Sequence, residues 1–309
     1  MTKILAGIAI AVLVILGLPS SRGAGAGSGD NPPVRPKITG IDHVVIYVSD
    51  VSRSRAFYSD VLGLPKKSGD WSDKKLARLG VNAEQFVELE PVPSPAPRNW
   101  VAEVVFATDD AVALRKYLTA RGVSAEPISK EVPAPDLEVR DPEGNRIGFV
   151  QRSGAAAPFK AAEKQLGSRM IHAGFVVKSM DAENRFYRDV LGFRVYWYGG
   201  FKDNDIDWYE IQVPDGGDWI EYMLNIPANA DHKEMGVQNH FSLGVKDAGV
   251  AAAELKKRGW KTFDGPEVGR DGKNSIDAYD PDGTRVEVME FTPRQTPCCH
   301  AYEAAHPNP

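Results

Sequence analysis

The sequence has little cysteine and no excess of positive charge. Two of its 309 residues are cysteines, the neighbours Cys298 and Cys299, which excludes a framework of disulfides. The formal net charge is −5, which gives no indication of nucleic acid or an anionic membrane as a partner. After the N-terminus, no segment approaches the roughly 18 apolar residues of a membrane-spanning helix. The length of 309 residues is sufficient for two domains. With 42% apolar and 26% charged residues, the composition is typical of a globular protein.

The first 26 residues predict a signal peptide. A basic start, MTK, is followed by the apolar run ILAGIAIAVLVILGL and by the small residues PSSRGAGAG, in which Ala24-Gly25-Ala26 resembles a cleavage site. We therefore expect export to the periplasm or the extracellular space, with an uncleaved N-terminal membrane anchor as the alternative. Residues 27–37, rich in glycine and proline, predict a flexible tether.

The C-terminal tail, residues 293–309, contains both cysteines in TPCCHAYEAAHPNP. A bond between neighbouring cysteines would strain the backbone, and a thiol pair beside His300 could bind a soft metal ion. The favoured interpretation is an accessory tail packed on the surface.

The chain contains an internal repeat. The segment IDHVVIYVSDVSRSRAFYSDVLGL (41–64) aligns without gaps with MIHAGFVVKSMDAENRFYRDVLGF (170–193), and both predict a strand followed by an amphipathic helix. Each half then begins a second round, at WVAEVVFAT and at NHFSLGV. We therefore predict an α+β fold of four strand–helix–strands modules, paired into two tandem domains. The domains are residues 38–152 and 169–292, joined by a linker over 153–168.

This pattern resembles the vicinal oxygen chelate superfamily, which includes glyoxalase I, extradiol dioxygenases, and the fosfomycin and bleomycin resistance proteins. The specific marks are FYRDVLGF, NHFSLGV and DPDGTRVE, and the resemblance covers nearly all of residues 38–292. It implies that pairs of βαβββ modules form a cupped sheet, with a metal ion or a ligand inside the cup.

The resemblance also implies four metal-ligand positions in each domain. In the second domain they hold His172, Glu221, His240 and Glu287. Two imidazoles and two carboxylates suit one divalent ion such as Zn, Ni, Co, Mn or Fe(II). Apolar residues alternate with the two glutamates along their strands, which predicts that both carboxylates face the cup. Each residue alone would more often be an ordinary strand residue, but the four together favour a metal site.

The first domain differs at these positions. The equivalent residues are His43, Glu88, Glu103 and Gly148. Gly148 has no side chain to bind a metal, and Glu103 replaces a neutral imidazole with a charge. We therefore predict that the first domain has no catalytic metal and serves as a scaffold or as a wall of the pocket.

Two enzyme chemistries fit the second domain. Two histidines and one glutamate form the Fe(II) triad of extradiol dioxygenases, whereas the addition of Glu221 gives the ligand set of glyoxalase I. The dioxygenase signature also carries a His and a Tyr before the last Glu. Here the Tyr position is Asp277, the segment GRDGKNSIDAYD contains no His, and Tyr279 lies two residues further on.

The balance favours a metal-dependent, glyoxalase-like lyase or isomerase that acts on a small vicinal-oxygen substrate. The resemblance implies an enediolate-type intermediate, with Glu287 or Glu221 as the general base. An extradiol-type ring-cleaving dioxygenase and a non-catalytic small-molecule binding or resistance protein are the alternatives. An exported protein would seldom meet glutathione, so the substrate stays open.

The expected partner is a small molecule, with neither nucleic acid nor, after signal cleavage, a membrane. The chain is expected to be a monomer or a homodimer. Part of an aromatic-rich set in the second domain could line a pocket for a ring, and the rest would pack between strands. The set comprises Tyr196, Trp197, Tyr198, Trp208, Tyr209, Trp219 and Tyr222.

Overall fold

The computed structural model describes residues 33–67, 76–126, 136–152, 154 and 159–309. The predicted signal peptide and most of the predicted tether lie outside the described residues. The end of that tether is bound to the rest of the chain: Arg35 donates to Asp215 at 2.8 Å, and the Lys37 amide donates to Asp109 at 2.8 Å. Among the described residues, no helix has both the length and the apolar character needed to cross a membrane.

The first half of the chain forms a six-stranded sheet with the order β2-β3-β1-β4-β6-β5. Its strands are β1 (Ile38–Val48), β2 (Ala77–Gly80), β3 (Phe86–Pro91), β4 (Val101–Thr108), β5 (Leu137–Arg140) and β6 (Arg146–Gln151). Its helices are α1 (Val51–Ala56), which continues as a π-helical turn over Phe57–Val61, and α2 (Ala111–Ala120).

The second half forms an eight-stranded sheet with the order β12-β13-β14-β11-β7-β10-β9-β8. Its strands are β7 (Arg169–Val176), β8 (Arg194–Gly199), β9 (Trp208–Gln212), β10 (Trp219–Met223), β11 (His240–Val245), β12 (Phe263–Val268), β13 (Asn274–Tyr279) and β14 (Arg285–Glu290). Its helices are α3 (Met180–Asn184), continued by a π-helical turn over Arg185–Val190, α4 (His232–Gln238) and α5 (Ala248–Lys257).

The helix boundaries follow from local chemistry that the repeat preserves. The side chains of Asp50, Asp110, Ser179 and Asp247 each accept a backbone N–H in the first turn of the helix that follows. Such caps satisfy amides that have no partner inside the helix. After the two π-helical turns, Gly63 and Gly192 adopt φ angles of 75° and 82°, a left-handed conformation that glycine adopts without strain.

The modules pair within each half of the chain. β1 pairs antiparallel with β4, and β7 pairs antiparallel with β11, so that each half closes its own sheet. The prediction of an α+β fold, with four modules paired into two tandem domains, is confirmed. The second sheet contains four strands from each module. In the described part of the first, the outer strand of each module is reduced to one bridge, Lys66 to Leu79 and Ala125 to Val139.

The repeated D-P-acid-G turns join the two halves. Tyr58, in the first π-helical turn, donates to Asp280 at 3.3 Å, and Tyr187, in the second, donates to Asp141 at 3.2 Å. The acid at the third position of each turn binds the strand–helix junction of the other half. Asp282 accepts the Ser49 amide at 2.9 Å, and Glu143 accepts the Lys178 amide at 2.8 Å. The two turns therefore make equivalent contacts across the boundary between the halves.

Glu183 makes this boundary sensitive to pH. Burial, with the nearby negative charge of Asp141, raises the pKa of Glu183 to about 8. One of its oxygens accepts the Glu143 amide at 2.9 Å, and the other is buried and has no hydrogen-bond partner among the described residues. A carboxyl with a raised pKa in the folded state binds protons more tightly than in the unfolded chain. Its protonated form therefore contributes stability that is fully present below about pH 4.5 and is lost as the pH rises towards 8.

We expect Glu183→Gln to raise the free energy of unfolding at pH 8 by about 1–3 kcal/mol, because it removes a buried, partly unpaired charge. At pH 4 the variant and the wild type should differ little. Chemical denaturation across this pH range measures the effect, with the exposed Glu267→Gln as the matched control. Equal slopes of stability against pH in all three proteins would contradict this account.

Candidate metal centre

The register of the second sheet places the four predicted ligand residues in two adjacent rows. One row crosses the strands through Trp219, His172, Ser242, Glu287 and Asp277. The next row contains Glu210, Glu221, Gly174, His240 and Arg285. Residues opposite one another in paired strands point to the same face of a sheet, and so do residues two apart along a strand. All four predicted residues therefore project from one face, within neighbouring strands.

The side-chain atoms of these residues converge on one point. The Nε2 atoms of His172 and His240 lie 3.0 Å apart. Glu287 Oε2 lies 3.1 Å from the Nε2 of His172, and Glu221 Oε2 lies 3.2 Å from the Nε2 of His240. Potential ligand atoms of His172, His240 and Glu287 all lie within 4.8 Å of one another. Glu221 is a second acid beside this group, 3.9 Å from His172 Nε2.

Burial controls the protonation of these groups. Both histidines are fully buried, whereas the side chains of Glu221 and Glu287 are 12% and 8% exposed. Burial lowers the pKa of His172 to about 3 and lowers the pKa of His240 well below its usual value. Burial also raises the pKa of Glu221, and the nearby charge of Glu287 raises it further. The imidazoles are therefore neutral, which is the form that binds metal ions.

Two local features fix the ring of His240. Its Nδ1 lies 2.9 Å from the Gln238 carbonyl oxygen, and Arg285 Nη2 lies 2.8 Å from the same nitrogen and 3.0 Å from Nε2. The ring also lies over Gly174, where a Cβ atom would overlap Cε1 and Nδ1 of His240. In the first sheet the position equivalent to Gly174 is Val45, by its pairing with Glu88 and Glu103.

The donor set fits a divalent metal ion. Two neutral imidazoles and a carboxylate, with a second carboxylate beside them, match the nitrogen and oxygen ligands preferred by Zn²⁺ and similar ions. Two buried polar atoms at the site, His172 Nδ1 and Ser242 Oγ, have no hydrogen-bond partner among the described residues. Ser242 is paired with both His172 and Glu287, so the unpartnered atoms belong to the same row as two of the potential ligands.

The first sheet brings its equivalent residues to the same rows but pairs them differently. Glu88 forms an ion pair with Arg78, and Glu103 forms one with Arg146 at 3.0 Å. His43 Nδ1 lies 2.6 Å from Asp42. At Gly148, no side chain corresponds to Glu287. Glu88 and Glu103 thus each contact an arginine. Glu221 and Glu287, in the second sheet, lie beside histidines instead.

A second group of potential ligands in the described residues consists of Asp203, Cys298 and Cys299. The two cysteines form a disulfide with each other, and Cys299 adopts a φ angle of 69°. The structure therefore contains a bond between these neighbours and not a free thiol pair. The bonded sulfur atoms are not the thiolates that a soft metal ion requires.

Three features of the site were missed from the sequence. Arg285 lies with Nη2 2.8 Å from His240 Nδ1 and pairs with Asp277 at 3.3 Å. It could have been found, because it precedes Glu287 by two residues and must share its face. The fully buried Lys273 and the tail, which packs against β8 and the loop before β13, could not have been found this way. The tail packs on the surface, in agreement with the favoured interpretation of the sequence.

The aromatic set divides between the two faces of the sheet. Tyr209 and Tyr222 pack against each other with ring centres 5.8 Å apart, within the main apolar core. Tyr196 and Trp219 pack together at 4.9 Å, near His172 and beneath the tail. Part of the set therefore packs in the core, as predicted, and Tyr196 and Trp219 are fully buried beside His172.

The family model described as Glyoxalase/Bleomycin resistance protein/Dioxygenase superfamily matches residues 40–149 and 169–288. Among solved structures, the chain is similar to homoprotocatechuate 2,3-dioxygenase from Brevibacterium fuscum in its complex with 3,4-dihydroxyphenylacetate. That similarity has a TM-score of 0.63 and 19% identity, over 85% of this chain and 83% of that one. The Arthrobacter globiformis enzyme of the same name has a TM-score of 0.64 and 19% identity, over 83% and 80%. At these identities the likeness establishes the fold alone. No curated protein matches the sequence at a significant level.

We expect Gly174→Ala to lower the metal affinity of the second sheet by at least about 10-fold, because the new methyl group would displace the ring of His240. Isothermal titration with Zn²⁺ measures the affinity, and circular dichroism checks the fold. The matched control is Val45→Ala at the equivalent position of the first sheet. An unchanged affinity in a folded Gly174→Ala protein would show that the His240 ring is not a ligand.

Proposed function

The chain belongs to the Glyoxalase/Bleomycin resistance protein/Dioxygenase superfamily, and we propose that it is a metal-dependent lyase or isomerase of the glyoxalase type. The substrate would be a small molecule with vicinal oxygens, converted through an enediolate-type intermediate. The observation that carries this proposal is Glu221, a second carboxylate 3.2 Å from His240 Nε2, beside the group formed by His172, His240 and Glu287. An acid at this point supplies a base for proton transfer in addition to the three potential ligands.

His172, His240 and Glu287 would hold the metal ion. Their nitrogen and oxygen atoms all lie within 4.8 Å of one another, and the two histidines are fully buried. When bound, a divalent ion supplies Lewis-acid stabilisation of the oxygen atoms that gain negative charge during the reaction. Arg285 lies beside the same site and adds a fixed positive charge close to His240.

Glu221 would act as the general base. Its side chain is more exposed than that of Glu287 and lies farther from His172, so a substrate can reach it without displacing a ligand. Burial raises its pKa, which makes the carboxylate a stronger base than an exposed glutamate. It would take the carbon-bound proton next to the substrate carbonyl and return it to the adjacent carbon, or to the leaving group.

The substrate would approach from the side of Asp277, whose side chain is 29% exposed at the rim of the cup. Arg285 holds this carboxylate at 3.3 Å and is itself directed to His240. Away from Asp277, Tyr302 and His306 of the tail contact Asp271 and Tyr196. The substrate would be compact and would project two oxygens towards the candidate ligands.

A ring-cleaving dioxygenase is the second candidate. Two observations favour it: the ligand atoms of two histidines and one carboxylate lie within 4.8 Å of one another, and extradiol dioxygenases share the fold of the chain. Against it, no histidine other than His172 and His240 has a described contact with this group. In this reading Glu221 would take a proton from a catechol hydroxyl, and both atoms of O₂ would enter the opened ring.

We expect Glu221→Gln to retain bound metal but to lose proton transfer by about 100-fold or more, because the amide cannot accept the proton. Glu287→Gln should instead lose metal. The assay follows deuterium uptake from D₂O, at the carbon next to a carbonyl, by nuclear magnetic resonance across a panel of α-hydroxy ketones. Full exchange by Glu221→Gln on a compound that the wild type turns over would reject Glu221 as the base.

The two candidate reactions differ in their use of oxygen. If the lyase or isomerase proposal is correct, the protein loaded with Fe(II) or Zn²⁺ should consume no O₂ when mixed with 3,4-dihydroxyphenylacetate or catechol. An oxygen electrode measures this directly. Stoichiometric uptake with the Fe(II) protein alone, with a ring-opened product, would replace the proposal by the dioxygenase.

A further inference from the structure

A column of aromatic rings connects the C-terminal tail to the potential ligand His172. The ring centres of Tyr302 and Tyr196 are 4.8 Å apart, those of Tyr196 and Trp219 are 4.9 Å apart, and those of Trp219 and His172 are 4.7 Å apart. Tyr196, Trp219 and His172 are fully buried, and Tyr302 is half-buried. The proposed reaction does not use the rings of Tyr302, Tyr196 or Trp219 directly.

The tail is fixed to this column by hydrogen bonds of Tyr302 and of two residues that follow it. The Tyr302 hydroxyl contacts the carbonyl and the carboxylate of Asp271, each at 3.0 Å. The Glu303 amide donates to the Tyr196 carbonyl at 2.9 Å, and His306 Nδ1 lies 2.6 Å from the Tyr196 hydroxyl. The position of the Tyr196 ring therefore depends on three residues of the tail.

The buried ammonium of Lys273 binds the same rings. Its Nζ lies 4.1 Å from the ring centre of Trp219, 5.0 Å from that of Tyr196 and 5.3 Å from that of Tyr302. It also donates to the Tyr196 hydroxyl at 3.1 Å. A buried charge is retained only where such partners compensate its lost hydration. Lys273 thus depends on the ring of Tyr302 in the tail and holds the column together.

Packing, and not a hydrogen bond to Nδ1, holds the outer side of the His172 ring. Its Nδ1 has no partner among the described residues, whereas Nδ1 of His240 lies 2.9 Å from the Gln238 carbonyl. In the first sheet, the equivalent His43 has both kinds of contact. Its ring packs against Phe86 at 4.2 Å, and its Nδ1 lies 2.6 Å from Asp42. A metal-binding histidine normally needs a second contact that holds its ring. For His172, that contact is Trp219.

We propose that Tyr302 is a positioning residue for the metal centre. The tail holds Tyr196 and Trp219 against His172 and so slows the loss of metal from the second sheet. This inference rests on the metal binding of the proposed function and extends it to the tail, whose last 17 residues would otherwise serve only as a covering segment. Loss of the Tyr302 ring would remove one partner of Lys273 and one neighbour of Tyr196 at the same time.

The test compares the rates at which Zn²⁺ leaves the full-length protein for an excess of a colorimetric chelator. We expect Tyr302→Ala to lose Zn²⁺ about 10–100-fold faster than the wild type, the range found for residues that support metal ligands. Tyr302→Phe keeps the ring and should remain within about 3-fold of the wild type, because the column depends on packing. Tyr302→Leu fills the space without an aromatic ring and should lie between them.

His300→Ala is the matched control. His300 belongs to the same tail and packs on Tyr198 at 3.7 Å, but it does not contact the column. The control should release Zn²⁺ at the wild-type rate. Equal rates for Tyr302→Ala, Tyr302→Leu and His300→Ala would overturn the proposal, because the tail would then cover the cup without positioning His172.

A second readout needs no metal and separates this inference from the proposed function. In the metal-free protein, the ring-proton resonances of His172 depend on the ring current of Trp219. We expect them to shift in Tyr302→Ala and to stay in place in His300→Ala. If the wild type binds no divalent ion, the proposed function fails, and these resonances still decide whether the column exists. Unshifted resonances in Tyr302→Ala would overturn the column.

Discussion

The pairing of β7 with β10 and β11 is the constraint on which the site depends. It sets His172 opposite Ser242 and Gly174 opposite both Glu221 and His240, so side chains from distant segments project from one face. A shift of one residue in any of these pairings would turn one ligand to the apolar side. The buried residues between them, such as Ile220 and Phe241, fix the register because they must face the helices.

The two sheets carry different residues at the positions of the candidate site. At the position of His240 the first sheet has Glu103, and at the position of Glu287 it has Gly148. Arg146 pairs with both Glu103 and Glu138, each at 3.0 Å. Its counterpart Arg285 pairs with Asp277, the position equivalent to Glu138, and lies beside His240. The repeated turns meanwhile make equivalent contacts in both halves, which indicates that joining the halves and binding a ligand are separate properties.

Much of this could be predicted from the sequence, for identifiable reasons. The gapless repeat of 41–64 in 170–193 gave the modules, and the period of two along strands gave the faces of Glu221 and Glu287. The tail could not be predicted in the same way. The contact of Tyr302 with Tyr196 joins segments that have no common pattern, and its energy comes from tertiary packing. The choice of base and the substrate depend on the dimensions of a site that no repeat encodes.

The central claim is that the second sheet, and not the first, holds a divalent metal ion. X-ray diffraction from crystals soaked in Zn²⁺, collected on both sides of the zinc absorption edge, tests it most directly. The account predicts one anomalous peak per chain within bonding distance of His172, His240 and Glu287. A peak between His43 and Glu88, or no peak at either sheet in a fully soaked crystal, would contradict it.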